Sequence, residues 1–337
     1  MAIIAARKPY YISHFGQALD VDLYIYDFDA TPPTIGVDTP NYTLRKVSFA
    51  DGVDETLRLD ISPYIRDYFD HSLATADFTI PDAGQQMPIN MYLKVDAVVN
   101  TVTENHTALD GWLEMGVSTT EGISNYYRNI STAPTPLTFR KGSFTTVRYT
   151  GFDGTTVSYT LAATTNGYLV IQPADPSGEV GKPFTMELIG SKTATYYFNN
   201  TCQFEDKYSF SVGFVNKWGL VEWVEMVGRS DRTLQVNSSN YLQASDYTKK
   251  IYNKDGNYML KLNTGWLQGN QAEMIEGLMM SEHVWINIAA AGSAAYYEDQ
   301  VVDAEVVNTS MQIKDGRADK LVNYSIDFKL TPSILYG

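Results

Sequence analysis

The sequence predicts a mainly β fold made of β-sandwich-like domains, with one short C-terminal α-helix and an inserted small β-domain. Apolar residues recur at every second position along most of the chain, which is typical of strands with one buried face. Aromatic residues make up 13% of the chain, and its 24 tyrosines favour sheets. The length of 337 residues, with 44% hydrophobic and 19% charged residues, indicates a folded protein of two or three domains.

Alternating runs begin near the N-terminus. The segments Val21–Tyr26 and Leu57–Ile61 each predict a strand with one buried face, and Asn90–Val102 predicts one long strand. Between them, Ser62 favours the cap of a short helical turn over Pro63–Phe69.

The middle of the chain changes character. It opens with the Pro/Thr-rich segment STAPTPLTF and continues as short strands separated by turn signals. Asp153-Gly154 predicts a two-residue hairpin turn, and Asn166-Gly167 and Pro176–Gly178 punctuate the strands that follow. Four or five such strands predict an inserted β-module that projects from the body.

The segment FVNKWG predicts a β-hairpin in the last third of the chain. Strand-forming residues flank it at Ser209–Val215 and Leu220–Val227, and Gly219 supplies the backbone freedom that the turn requires. We expect Trp218 or Trp223 to pack in a contact between domains or subunits.

One helix is predicted at 270–281. Asn270 is a suitable N-cap with Glu273 three residues on, and a stripe of Met274, Ile275 and Leu278 recurs at helical spacing. Strands return at Gln300–Ile313 and Lys320–Leu330.

The three predicted parts are an N-terminal β-domain at 1–130, the inserted β-module at 131–195 and a C-terminal β-rich domain at 196–337. We expect the last to pack with the first.

The sequence gives little sign of catalytic chemistry. The HExxH, GxSxG, Walker A and GxGxxG motifs are missing, and the four histidines are not at metal-binding spacing. Cys202 is the single cysteine, so neither an internal disulfide nor a cysteine zinc site is predicted. Glu222 and Glu225 lie near two tryptophans as in sugar-cleaving sites, but their spacing on a strand directs them to opposite faces. We predict a non-enzyme with no catalytic residues, no metal and no cofactor.

The net charge of −14 argues against stable nucleic-acid binding, because phosphate contacts require clustered Lys and Arg. No apolar run approaches the roughly 20 residues of a membrane helix, so no membrane insertion is expected. The N-terminal MAIIAARKPYY lacks the pattern of a secretory signal.

Four segments together resemble virion structural proteins of tailed phages of Bacteroidota, which are tail or baseplate-like components. They are FVNKWG, RKPYYIS with the following VDLYIYDF, LRLDISPYIRDYF, and the C-terminal MLKLNTGWLQGNQAEMIEGLMMSEHVWI. The resemblance spans most of the chain outside 131–195. It implies a location in the virion, after assembly in the host bacterial cytoplasm.

We therefore expect a structural virion protein that self-assembles, as a homo-oligomeric ring, and connects neighbouring virion proteins of a phage tail or head-to-tail assembly. The alternative is a receptor- or glycan-binding adhesin module at the tail tip. The residues predicted to form interfaces are Asn216, Lys217, Trp218, Gly219 and Trp223, with a basic cluster of Arg140, Lys141 and Arg148.

Overall fold

The protein is mainly β, which confirms the predicted fold class. The structure is a computed structural model. It describes residues 2–27, 30–48, 54–69, 92–111, 128–130, 137–140, 144–161, 168–171, 173–179, 181–200, 210–242, 248–268, 271–287, 301–308, 310, 321–331 and 334–336.

The N-terminal region packs two sheets on one hydrophobic core. Its five-stranded sheet has the order β1-β7-β6-β3-β4, with β1 at Ala2–Ala5, β3 at Ala18–Asp27, β4 at Tyr42–Val47, β6 at Tyr92–Val99 and β7 at Val102–Leu109. A two-stranded sheet pairs β2 (Tyr11–Gly16) with β5 (Glu55–Asp60). Alternate residues of both sheets, such as Ile12 and Val21, fill the core between them. The segments that were predicted as strands from their period-two pattern therefore have the predicted buried face.

The expected single strand at Asn90–Val102 is wrong. The chain reverses at Asn100 and Thr101, so that β6 and β7 form a tight hairpin. Both turn residues have positive φ angles, of 45° and 95°. Asn100 stabilises the turn with its side chain, which accepts a hydrogen bond from the Asp20 amide at 2.9 Å. Neither residue is glycine, so the usual sequence signal for this turn is missing.

A short helix, α1, spans Ser62–Arg66 and packs Ile65 into the same core. Its N-cap is Ile61, so the predicted capping role of Ser62 is wrong. The Ser62 hydroxyl instead accepts from the Tyr10 amide at 2.8 Å and donates to the Lys8 carbonyl at 2.7 Å. These two bonds tie the helix to the start of β2.

A second five-stranded sheet forms in the middle of the chain. Its order is β11-β10-β13-β14-β8, with β8 at Arg128–Ile130, β10 at Phe144–Thr150, β11 at Thr156–Thr160, β13 at Pro183–Gly190 and β14 at Thr193–Asn200. The hairpin between β10 and β11 turns at the predicted Asp153-Gly154, and Gly154 has a φ of +85°. The predicted two-residue turn is wrong, because the loop between the paired Thr150 and Thr156 has five residues. Asn166-Gly167 lies outside the described residues.

The third sheet is the largest, with ten strands. They run in the order β12-β9-β16-β15-β19-β20-β21-β18-β17, and β22 also pairs with β18. Their bounds are β9 Leu137–Arg140, β12 Tyr168–Ile171, β15 Phe210–Val215, β16 Val221–Met226, β17 Asp231–Leu242, β18 Lys249–Gln268, β19 Val284–Asn287, β20 Val301–Val306, β21 Leu321–Leu330 and β22 Ile334–Tyr336. The FVNKWG hairpin is confirmed as β15 and β16.

The middle stretch is divided between two sheets. Leu137 of β9 pairs with Glu222 of β16, which places β9 and β12 at one end of the ten-stranded sheet. Phe139 from this end nevertheless packs with Phe184 and Phe198 of the middle sheet in a hydrophobic core of their own.

The second helix, α2, spans Ala272–Met280 and lies within the predicted range. It buries Ile275 and Leu278 against the large sheet. The predicted capping box is wrong: the N-cap is Gln271, without a side-chain cap bond. Glu273 points to Lys217 of the FVNKWG turn instead and forms an ion pair with it.

Candidate functional site

The turn of the FVNKWG hairpin is held by Asn216. Its side-chain oxygen accepts from the Trp218 amide at 3.0 Å and from the Leu220 amide at 3.1 Å, and its carbonyl accepts from the Gly219 amide at 2.9 Å. Gly219 has a φ of +84°, a conformation that side chains resist. This confirms the prediction made for Gly219.

This turn lies directly against the end of β7. A Cβ atom placed on Gly219 would come within 2.7 Å of the Asp110 backbone, and one on Gly111 within 2.4 Å of the Trp218 carbonyl carbon. Two glycines are therefore needed for the two backbones to touch. The contact joins the N-terminal sheet to the ten-stranded sheet.

A buried ion pair fixes the same hairpin from the other side. Arg128 of β8 donates to Glu222 of β16 at 2.5 Å, and both side chains are at most 5% exposed. The side-chain amide of Asn216 donates to the other oxygen of Glu222 at 3.3 Å. The network thus connects the middle sheet, the large sheet and the turn.

Glu222 and Glu225 do not flank one cleft. They lie opposite Phe214 and Ser211 on β15, which places them on opposite faces of β16. Both are buried, and Glu222 is held by Arg128. This arrangement lacks the two facing carboxylates that glycoside hydrolysis requires.

Further ion pairs line the seam between the N-terminal sheets and the large sheet. Arg7 donates two hydrogen bonds to the buried Asp110, at 3.0 and 2.8 Å. Arg66 of α1 pairs with Glu282 at 3.0 Å across a cavity of about 370 Å³. Charges that are paired in this way brace two surfaces and leave little free charge for a ligand.

A larger groove opens on the far side of Glu282. It has a volume of about 640 Å³ and lies between the end of α2, β19 and β20. Glu282, Asp303 and Glu305 line it beside His283 and the indole of Trp285. We call it the acidic groove.

The edge of the large sheet extends into solvent. Strand β17 is exposed over all 12 of its residues, and residues 249–251 of β18 are exposed beside it. Strand β21 pairs with β18 only from Met259 onward, so residues 249–258 extend past it, and the short β22 pairs with Lys254–Gly256. We call β17 together with residues 249–258 the arm. It carries exposed apolar side chains on both strands, namely Leu234, Val236, Tyr241, Leu242 and Ile251.

The remaining predicted interface residues are spread over the molecule. Lys217 lies over the Trp218 ring at 4.5 Å, and Trp223 is buried on β16, where it lies flat on Gly213. Arg148 pairs with Glu187 at 2.5 Å on the exposed face of the middle sheet. Of its predicted partners, Arg140 ends β9 without a described side chain, and Lys141 lies outside the described residues. The structure thus brings only residues 216–219 into one site.

No family model and no curated protein matches this chain. Within the described part of the chain, no three His, Cys, Asp or Glu side chains are grouped as a metal site. Neither helix of that part, α1 or α2, combines the length and the apolar composition that crossing a membrane requires.

The sequence reasoning missed the arm and the acidic groove. The arm did have a signal, because Asp231–Leu242 and Lys249–Leu260 are two strand-like runs of similar length around a polar segment. The groove did not, since its acids come from β20 and from the loop after α2, which are distant in sequence.

Proposed function

We propose that this protein is a non-enzymatic structural component of a virion. In this role it assembles with copies of itself and connects neighbouring components of a phage tail or head-to-tail assembly. The exposed arm carries this proposal.

The arm is difficult to explain in an isolated molecule. Apart from the three-residue pairing with β22, the arm is a two-stranded hairpin. Such a hairpin is marginally stable in water, because it has too little core to offset its loss of chain entropy. The side chains of Leu234, Val236 and Leu242 are 46%, 52% and 55% exposed. Strand β17 also leaves one row of backbone groups at a sheet edge, which can pair with another chain. A partner that covers the arm would bury this apolar surface.

The body has the features of a rigid building block. The buried pair of Arg128 and Glu222 and the glycine contact at Gly111 join different sheets. Such cross-links favour a subunit that holds its shape while its edges make contacts.

The setting comes from the sequence resemblance to tail and baseplate-like proteins of Bacteroidota phages. The net charge of −14 is compatible with a many-copy protein that must remain soluble before assembly and must not bind passing DNA. Immunogold labelling of virions from the encoding phage should mark the tail or the head-to-tail region. Label on the capsid shell, or on no part of the virion, would contradict the setting.

Light scattering on the purified chain tests self-assembly. We expect a multimer for the full chain. In a shortened arm, an Asn-Gly turn replaces residues 240–252. The turn can close there because Ser239 and Asn253 lie directly opposite each other. We expect this variant to be a monomer.

The melting temperature of the shortened variant serves as the control. It should stay close to that of the full chain, because none of the removed residues that the structure describes belongs to a hydrophobic core. A full chain that remains monomeric, alone and with its neighbouring virion proteins, would overturn the proposal.

A further inference from the structure

We propose that the arm of one copy docks in the acidic groove of a second copy, where Lys249, which lies opposite Leu242 on the face of the apolar side chains Leu234 and Val236, faces Asp303 and Glu305. This inference rests on the proposed self-assembly and names the two surfaces that meet.

The arm carries an apolar stripe that continues the core of its own molecule outward. Arg232, Leu234 and Val236 lie opposite Leu260, Tyr258 and Gly256. Leu260 is buried in the hydrophobic core between the large sheet and α2, and Tyr258 packs against the edge of this core. Leu234 and Val236 continue this stripe on the same face, with side chains that are 46% and 52% exposed. A partner that packs on this face would bury their apolar area.

The charge of the arm is opposite to that of the rest of the chain. The arm contains four basic and two acidic residues, whereas the whole chain has a net charge of −14. Lys249 and Lys250 are exposed near the tip. A basic arm on an acidic body favours contact between copies, because the arm of each is attracted to the body of the other.

The acidic groove offers a complementary surface. Glu282 is already paired with Arg66, and Glu305 lies opposite Lys329 in the sheet. Asp303 is exposed and forms no ion pair within the described residues. The apolar floor of the groove, with Val306 and Met279, can accept aliphatic side chains next to these carboxylates.

The arm cannot reach the groove of its own chain. Ala304 pairs with Leu330, and Met259 pairs with Lys329, so the groove and the base of the arm lie at the same end of the sheet. From there, the ten residues back to Lys249 carry the tip about 30 Å along the strand direction. The tip therefore meets a groove only on another copy. Such a contact uses two different surfaces, and it closes into a ring when repeated with the right rotation.

Charge reversal tests the contact. The double variant Lys249→Glu, Lys250→Glu should raise the concentration needed for half-assembly by about tenfold or more. Asp303→Lys, Glu305→Lys should do the same, and combining all four changes should restore assembly. The double variant Lys182→Glu, Lys192→Glu alters the net charge equally on exposed residues of the middle sheet and should leave assembly unchanged.

Disulfide trapping tests the geometry directly. In a Cys202→Ser background, a Lys249→Cys chain is mixed with an Asp303→Cys chain and oxidised. A linked pair containing one of each chain supports the inference, because this link can form only between copies.

Failure of the inference can be distinguished from failure of the proposed function. A wild-type chain that stays monomeric, alone and with its neighbouring virion proteins, overturns both the inference and the proposed function. A multimer that tolerates both reversals and gives no mixed disulfide overturns the inference alone and leaves self-assembly in place.

Discussion

Gly219 combines two constraints, a positive φ angle and a close approach to a second backbone segment. Its φ of +84° resists side chains, and a Cβ there would meet the Asp110 backbone at 2.7 Å. Gly154 has nearly the same φ, of +85°, with nothing within 4 Å of its Cβ position. A comparison of the same substitution at Gly219 and at Gly154 therefore separates the cost of backbone strain from the cost of the close approach of two chain segments.

We predict that Gly219→Val lowers the free energy of unfolding by more than Gly154→Val does. Strain alone should cost about 1–3 kcal/mol at each site, and Gly219→Val adds displacement of the Asp110–Gly111 backbone. Urea denaturation of both variants measures the difference. Equal losses would show that the contact with β7 contributes nothing to stability.

The buried pair of Arg128 and Glu222 gives a second residue-scale prediction. Glu222→Gln leaves the guanidinium buried without its carboxylate, and breaking such a pair typically costs about 3–5 kcal/mol. Glu187→Gln is the matched control, because its partner Arg148 is 44% exposed and such pairs contribute about 0–1 kcal/mol. Chemical denaturation should show a clear loss for the first variant and little for the second. Similar losses would argue against the buried pair as a brace.

His106 should make the protein sensitive to mild acid. Burial lowers the pKa of His106, while the nearby Glu104 opposes this shift only in part. The unfolded chain, with a histidine pKa near 6.5, then binds protons more readily than the folded protein does. Stability from this group is present above pH 6.5 and is lost as the pH falls below that value.

Melting temperatures between pH 7.5 and pH 5 test this prediction. The wild type should lose stability more steeply than His106→Gln across the range. His14→Gln, on the half-buried His14 of β2, is the control and should follow the wild type. If His106→Gln retains the full pH dependence, the acid sensitivity originates elsewhere.

Among the secondary-structure elements, the β6–β7 hairpin has a residue poorly suited to its place. Thr101 is β-branched and exposed, yet its φ is 95°. We predict that Thr101→Gly raises the free energy of unfolding by about 1 kcal/mol, because relief of strain exceeds the added entropy of the unfolded chain. Thr103→Gly, on the exposed face of β7, should lower it instead. A loss in both variants would mean that Thr101 stores no strain.

Elements with a local signal could be predicted from the sequence. The FVNKWG hairpin has a glycine at the position that needs positive φ, and α2 has an apolar stripe at helical spacing. The Asn100–Thr101 turn could not, since its stability depends on the hydrogen bond between Asn100 and the distant Asp20. Both predicted helix caps failed for a similar reason, because Ser62 and Glu273 bind partners far along the chain.

The candidate site was predictable only in part. Residues 216–219 are adjacent in sequence, so their shared turn follows from the local pattern. Arg128 and Glu222 are 94 residues apart, and their pairing depends on how two sheets pack together. The acidic groove likewise exists only once β19 and β20 have paired. Residue types alone carry no information on such long-range partners.

At the scale of the whole molecule, the arm and the groove are different surfaces, so in the proposed assembly each copy offers one of each to its neighbours. Assembly of this kind either closes into a ring or grows as a filament. The resemblance to tail and baseplate-like proteins favours closure, and we expect a sixfold-related symmetry in negative-stain images.

The arm also provides a readout of assembly by limited proteolysis. Trypsin cleaves after lysine and arginine, and Lys249 and Lys250 lie on exposed strand near the tip. We predict rapid cleavage there when the chain is diluted to monomers. In the assembled state, burial of the tip against a second copy should slow cleavage strongly.

Exposed Lys192, at the turn between β13 and β14, is the internal reference and should be cut at similar rates in both states. Mass spectrometry of the early fragments separates the sites. If Lys249 and Lys250 are cleaved equally fast in the assembled protein, the arm remains in solvent and the copies associate through another surface.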